Sequence, residues 1–540
     1  MSDTCSRQIT LKDVNQVKEV KSIGKSKQKN KGNVVNFSKN ELVQMGIGFI
    51  TVFKAAIGTG ILFSPRGVVN TGYILSALIM FYYWVLNVLS MLLLMQCADR
   101  VDGNYSSIAM YAMGKFGKFL LEFSLISTAI SFGSIYVTFI TNNIQDIIAG
   151  IHNCSQEYLN YGSALITFLQ LIIYIPLVSA RKIQSLAPII LISNFALISA
   201  ITLVLIQSFR TLIRNHSNGF FYSIPSISDT SNIPGFIGTA AYLWVCAPVT
   251  LSYYSSINNQ RERRFFTWVY LFAIFVVFAF ALTFTYLCAF AYGESTLSAI
   301  TLNLPFTPIA MGGKILYSLS VLLSLPLMIY PMKEIFAKYS FGLSQKIVSR
   351  SEIEMIEINQ NKQEFLNNSN STISIEKSNM SEHLILSCEE PATDSSVEVR
   401  SFSSDIDYPN NSNLKEIHHF NQKALKTNFF EVQKENILPS FWMMISCIFI
   451  TFLGYILHDS LSNLINLIGG LFCVPLNILL PALFHFIIFR KEIGIQFIII
   501  DFMLIISGIF TSILVIWYSI LNWSNENPTI CTMKDSEGFN

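Results

Sequence analysis

Residues 53–65 read Phe-Lys-Ala-Ala-Ile-Gly-Thr-Gly-Ile-Leu-Phe-Ser-Pro, which sets a Gly-Thr-Gly interruption in the middle of the first long apolar segment with Lys54 beside it. A helix broken inside a bilayer must find partners for the freed N–H and C=O groups, so the break survives only where it lines a cavity. Such discontinuous helices build binding sites near the bilayer midplane. The stretch therefore predicts a broken membrane helix with a site at Ala56, Ile57, Gly58, Thr59 and Gly60. Both glycines are expected to serve an unhindered backbone.

Composition agrees with a membrane setting. Of 540 residues 52% are hydrophobic, only 13% are charged, and Phe alone contributes 43. A soluble core could not hide that much apolar surface. The nine cysteines form no CxxC pair and have no His partner at metal spacing, so no metal site, redox motif or cofactor is expected. Neither a GxSxG nor a P-loop pattern is present, which argues against a hydrolase or kinase, and nothing points to nucleic acid.

A spanning helix needs about 20 apolar residues. On that ruler the sequence predicts eleven, over 43–69, 73–97, 119–148, 161–180, 186–209, 234–257, 266–292, 313–337, 438–458, 461–489 and 495–523. The polar stretch 1–42, rich in lysine, has no apolar core of a signal peptide and reads as a cytosolic basic tail. Residues 43–338 then hold the first eight helices and 438–523 the last three. Between them the Ser-, Asn- and Glu-rich 339–437 is too polar to fold on its own core and reads as a disordered cytosolic loop, either a plain linker or a regulatory module. Basic residues gather in the loops at 100–118, 181–182, 261–264 and 490–491, which places the N-terminus in the cytosol and the tail 524–540 outside. Cys154 and Cys531 then share the outer side and either pair or stay free.

A second interruption lies in the sixth segment, where Trp244-Val-Cys-Ala-Pro248 ends a helix, because proline removes a donor and disfavours helix just before it. Two broken helices five apart point to an inverted repeat of two five-helix halves. The half-helix starting near Thr59 aims free N–H groups and its dipole at an anion such as a carboxylate. Unwound carbonyls around Tyr242, Leu243, Trp244 and Val245 suit an ammonium group, and Tyr242 and Trp244 are candidates to wall a side-chain pocket. An amino acid zwitterion carries both charges.

The first-helix stretch closely resembles the signature of the amino acid/auxin permease family, within the amino acid-polyamine-organocation superfamily. Asp102-Gly-Asn-Tyr-Ser-Ser-Ile-Ala with Tyr111-Ala-Met-Gly-Lys-Phe-Gly117, Ser324-Leu-Pro-Leu-Met-Ile-Tyr-Pro331, and Ile468-Gly-Gly-Leu with Leu479-Leu-Pro-Ala-Leu-Phe-His485 resemble its later motifs, in order. The resemblance implies an all-α protein with the LeuT-type fold and 5+5 inverted repeat. It implies a transporter, not an enzyme, that moves amino acids by alternating access with a proton or, in one branch, sodium. The first helix is similar to proton-coupled and vacuolar members. Val245-Cys-Ala-Pro248 is similar to the Val-Cys-His-Pro of sodium-coupled ones, with Ala247 in place of His. That branch carries Asn before its Gly-Ser-Gly, where this chain has Ala55 and Ala56, so the reading favours protons. The alternatives are a sodium symporter and a sensor that binds without flux. The membrane is vacuolar, another endomembrane, or the plasma membrane.

Candidate coupling groups follow. An ionisable side chain within a span is a functional hypothesis by default, and Lys54 either pairs with a carboxylate, fills a cation position, titrates, or snorkels to the interface. Asp501 and Glu122 are either proton-relay carboxylates or helix-end charges. Ser320 and Ser324, four apart on one helix face, either offer hydroxyls to an ion or bond back to their own helix. Ser127, Ser131 and Tyr136 are expected to face the same cavity, and His458 and His485 to sit at the interface.

Overall fold

A computed structural model describes residues 39–152, 162–179, 187–217, 224–228, 230–326, 328–329, 331–339, 440–492 and 494–523. Residues 1–38 of the basic tail, the 340–439 stretch, and both Cys154 and Cys531 lie outside the described residues, while 39–42, expected in the tail, are the first turn of a helix. Those described are helical or in short connections, with no strand among them.

The first apolar segment folds as α1 (Lys39–Ala56) and α2 (Gly60–Thr71), bent by 49° at the break. Then come α3 (Tyr73–Val101), α4 (Tyr105–Ile151), α5 (Ser163–Val178) and α6 (Ala187–Ser217). The second broken segment is α7 (Ile233–Leu243) and α8 (Ala247–Ser255), followed by α9 (Gln260–Tyr292), α10 (Pro308–Tyr339), α11 (Ser440–Ile456), α12 (His458–Phe489) and α13 (Ile495–Leu521). By length and composition eight of the described helices can cross a membrane, or nine with the bent pair as one. The remaining two expected segments are the shorter apolar helices α5 and α11.

Two local departures from the sequence reading have clear causes. The stretch 102–118, expected as a loop, is largely helical, because Asn104 caps α4 by accepting from the Ser107 N–H at 3.0 Å. Gly114 then kinks α4 with a positive φ of 64° before the membrane-length part begins. In α12 two runs widen to π-helix, Gly469–Cys473 and Pro475–Leu479, a feature often found at functional sites.

Burial shows which helices are central. In the apolar windows of α4 and of the α7–α8 segment 72% of residues are buried inside the protein, against 28% for α6 and α13 and 33% for α9. The peripheral helices present large apolar side chains outward, among them Phe195, Trp268 and Phe510. With the backbone groups paired within the helix, such a surface suits lipid. The broken helices are thus enclosed, with α2 packed on α7 and α9, and α7 packed on α12.

Candidate functional site

The sequence breaks the first helix where the structure does. Residues 57–59 leave the helix after Ala56, and the ladder resumes when the Leu62 N–H donates to the Thr59 carbonyl at 3.0 Å. A helix leaves the N–H groups of its first turn unpaired unless a side chain caps them. Thr59 holds the cap position of α2 but does not cap it. Its hydroxyl instead lies 2.9 Å from Tyr242 Oη on α7, a buried bond that ties the first break to the turn before the second. The α2 terminus is left as a set of N–H donors with a dipole that favours an anion.

Around this point aromatic rings close in. Tyr242 stacks on Phe132 of α4 at 4.5 Å between centroids and meets Phe63 edge-on at 6.5 Å. Tyr317 of α10 donates to the Gly58 carbonyl at 3.3 Å, and Phe139 of α4 meets its ring at 5.5 Å. The two breaks touch through backbone: a Cβ on Gly60 would stand 3.1 Å from Leu243 Cα. Any side chain at Gly60 would make Leu243 or the Tyr242 ring give way by a few tenths of an ångström. Gly58, expected to share the constraint, has nothing within 4 Å of such a Cβ. Ala56 and Ile57 are buried beside it.

The second break, Trp244 to Cys246, is shorter than the Trp244–Pro248 expected, because Pro248 sits in the first turn of α8, where its missing N–H costs nothing. Its backbone is braced by side chains. The Nδ2 groups of Asn87 on α3 and Asn477 on α12 each donate to the Trp244 carbonyl at 2.6 Å. Asn477 Oδ1 accepts from the Ala247 N–H at 3.1 Å, and Tyr270 Oη donates to Asn87 Oδ1 at 3.1 Å. The Trp244 carbonyl, expected to face an ammonium group, is therefore already occupied by two amides. The Trp244 ring packs near Phe278 of α9, 6.1 Å between centroids. Of the expected pair of wall residues, Tyr242 is the one that bonds the first break.

The Lys54 neighbourhood brings three sequence candidates together. Lys54, in the last turn of α1, donates across 3.5 Å to Ser193 Oγ on α6. Ser193 Oγ lies 2.7 Å from Ser324 Oγ and donates to the Ser320 carbonyl at 3.0 Å, while Ser320 Oγ donates to the Ser193 carbonyl at 2.9 Å. Ser324 also makes the back-bond to Ser320 at 2.8 Å. Among the described residues no carboxylate pairs with Lys54, and its amine reaches the serine cluster through Ser193.

Other candidates lie elsewhere. Buried Glu122 accepts from Tyr339 Oη at 2.7 Å and faces Lys118 at 3.8 Å, which ties it to the end of α10. Asp501 is fully buried on α13 and holds His485 Nδ1 with both oxygens, at 3.0 and 2.9 Å. His485 is thus not an interfacial residue: it is 0% exposed, with Gln96 Oε1 at 3.3 Å from Nε2. Partly exposed His458 stacks on Tyr455. Ser131 and Tyr136 are buried on α4, and among the described residues neither bonds to a break. No cluster of His, Cys, Asp and Glu able to hold a metal occurs among the described residues.

Sequence reasoning missed Asn87, Ser193, Tyr317 and Asn477. The available signal was a lone amide or hydroxyl inside an apolar span, as in Trp84-Val-Leu-Asn87-Val-Leu-Ser90.

Similarity to known proteins gives the family. The family model described as transmembrane amino acid transporter protein matches residues 43–522. The chain belongs to that family. Its relatives include "Vacuolar amino acid transporter 4" of Saccharomyces cerevisiae, 26% identical over 305 residues, 55% of this chain and 41% of that one. "Vacuolar amino acid transporter 3" of Schizosaccharomyces pombe is 24% identical over 56% of this chain and 44% of its own. "Amino acid transporter ANT1" of Arabidopsis thaliana is 26% identical over 53% and 65%. The match thus spans less than two thirds of each relative. Among solved structures the chain is similar to MhsT in complex with L-phenylalanine, at 12% identity and a TM-score of 0.47, over 88% of this chain and 98% of that one. The family is one of membrane transporters, not enzymes.

Proposed function

We propose that the chain is a secondary active transporter of small or neutral amino acids, driven by a proton gradient through alternating access, with the site between the two breaks. The observation that carries the reading is the α2 terminus, uncapped by Thr59 and enclosed by Tyr242 and the backbone of the second break. Its donors receive the substrate carboxylate. The carbonyls of Tyr242, Leu243 and Val245 remain for the ammonium, since Trp244 is occupied. Phe132 stacked on Tyr242 narrows the space for a side chain.

Lys54 supports protons over sodium. The Lys54 amine bonds Ser193, which meets Ser320 and Ser324 in turn, and in its protonated form it supplies a cation where those oxygens would otherwise take one. An amine held by burial can exchange its proton with a change in access. Relatives named as vacuolar transporters support an endomembrane location, and the basic residues gathered in the loops at 100–118, 181–182, 261–264 and 490–491 support a cytosolic N-terminus.

Uptake of a labelled amino acid mixture into proteoliposomes, under an inward proton gradient and then a sodium gradient, tests this. Saturable proton-driven accumulation is expected. Accumulation driven by sodium alone overturns the coupling assignment and keeps the site. Substrate binding without flux under either gradient overturns transport and establishes a sensor.

A further inference from the structure

Lys314 of α10 and Asp146 of α4 form an ion pair with both side chains 0% exposed, and no step above uses it. Phe306 lies against the Lys314 ammonium at 5.1 Å, which shields it from solvent. A buried ion pair gives up the hydration of both charges and is weak evidence for stability, since apolar residues of similar volume serve a fold as well. Inside a membrane protein it points to function.

A second observation marks the same face. Phe139, Asn143 and Asp146 follow a helical i, i+4, i+7 stripe on α4. The first of them meets Tyr317 of α10 and the last meets Lys314, so Asn143 lies between two contacts to that helix. Asn143 is 0% exposed, and among the described residues neither Oδ1 nor Nδ2 finds a partner. Ser318 Oγ, one turn along from Lys314, is likewise buried without one. A buried amide with its donors and acceptor unmet is costly, and such a place holds ordered water when it has room and polar partners.

Position relates this face to the first break. Tyr317 bonds the Gly58 carbonyl, and Ser320 and Ser324, which meet the Lys54 cluster, lie beyond it. Lys314 lies before it. From Lys314 to Ser324 α10 rises about 15 Å at 1.5 Å per residue. One helix therefore carries two lysine sites, one on each side of the break.

We propose that Asp146, with Lys314 and Asn143, is a second proton-binding site of the transport cycle, on the opposite side of the break from Lys54. When that side is open the Asp146 carboxylate takes up a proton from the adjoining solution, relayed by water at Asn143, and the pair changes from net zero to one positive charge. Release returns it to zero. The charged group facing Asp146 from α10 is Lys314, the 300–306 loop contributes the Phe306 ring, and the other described titratable group at this end of α4 is the exposed His152.

This rests on the proton-coupled reading, so wild-type protein in proteoliposomes is measured first; if it shows no proton-driven uptake, that reading fails on its own. With wild-type coupling in hand, Asp146→Asn is expected to lower gradient-driven uptake at least tenfold while substrate exchange without a gradient stays within threefold. Retained gradient-driven uptake with the wild-type pH profile overturns the proposal, and so does parallel loss of both activities with a lowered melting temperature, the mark of a strut. If Asp146→Asn does not fold, Lys314→Gln decides. Without the cation beside it the carboxylate holds its proton more tightly, so the pH profile of uptake shifts to higher pH, and an unchanged profile overturns the site.

Discussion

The two breaks differ in how their loose ends are held. At the second, two asparagines from α3 and α12 occupy the Trp244 carbonyl and one of them also takes the Ala247 N–H. At the first, the residue in the cap position leaves the helix terminus open and spends its hydroxyl on Tyr242. The first also bends by 49°, whereas α7 and α8 continue as one span. One break is braced and the other is left open. On the proposed reading the two discontinuous helices contribute unequally to the site: the braced one holds position so that the open one can meet a ligand.

The comparison breaks most sharply at Gly60. Gly60→Leu drives a side chain into the Leu243 backbone and should reduce uptake at least about 100-fold, the scale of a ~1 Å misplacement at a positioned site. Initial uptake rates at matched protein amounts check it. Next come the braces: the Trp244 carbonyl keeps one amide in either single variant, but Asn87→Ala strands the buried Tyr270 hydroxyl and Asn477→Ala the buried Ala247 N–H, at about 1–3 kcal/mol each. Thermal unfolding in detergent should show the loss. Because both act on one carbonyl, the double variant should depart from additivity. Tyr242→Phe deletes a bond made only at the open break, so substrate affinity should change by about tenfold or less, roughly 1 kcal/mol, with unfolding temperature nearly unchanged. The smallest effect is expected from Gly58→Ala, which enters open space. Uptake within about twofold of wild type is predicted, since no packed neighbour must move. A large loss there would mean that the open break closes on its ligand more tightly than Gly60 does.

Much of this was legible because it is local. The Gly-Thr-Gly break, Pro248 and the apolar lengths all act within one helix, and the structure places the breaks within a few residues of the expected positions. Lys54, Ser320 and Ser324 were legible as types of residue, an ionisable group and two hydroxyls on one face, though nothing in the sequence said that they meet through Ser193. The rest depends on pairings between distant residues. Asn87 and Asn477 reach Trp244 across 157 and 233 positions, and Lys314 reaches Asp146 across 168. Which way the Trp244 ring turns depends on the ring of α9 that receives it, and His485 reads as an end-of-helix residue until α13 brings Asp501 against it. Helical period tells which residues share a face but not which helix that face meets.

The contact between α7 and α12 has a practical use. A Cβ on Gly469 would stand 2.0 Å from the Gly238 carbonyl oxygen, and Thr239 donates to Asn466 Oδ1 at 2.7 Å. With backbone pressed on backbone and a bond beside it, these two helices have no room to slide. If the proposed alternating access holds, spin labels on the outer faces of α7 and α12 should keep one separation through turnover, a built-in ruler against which any travel of α1 can be measured.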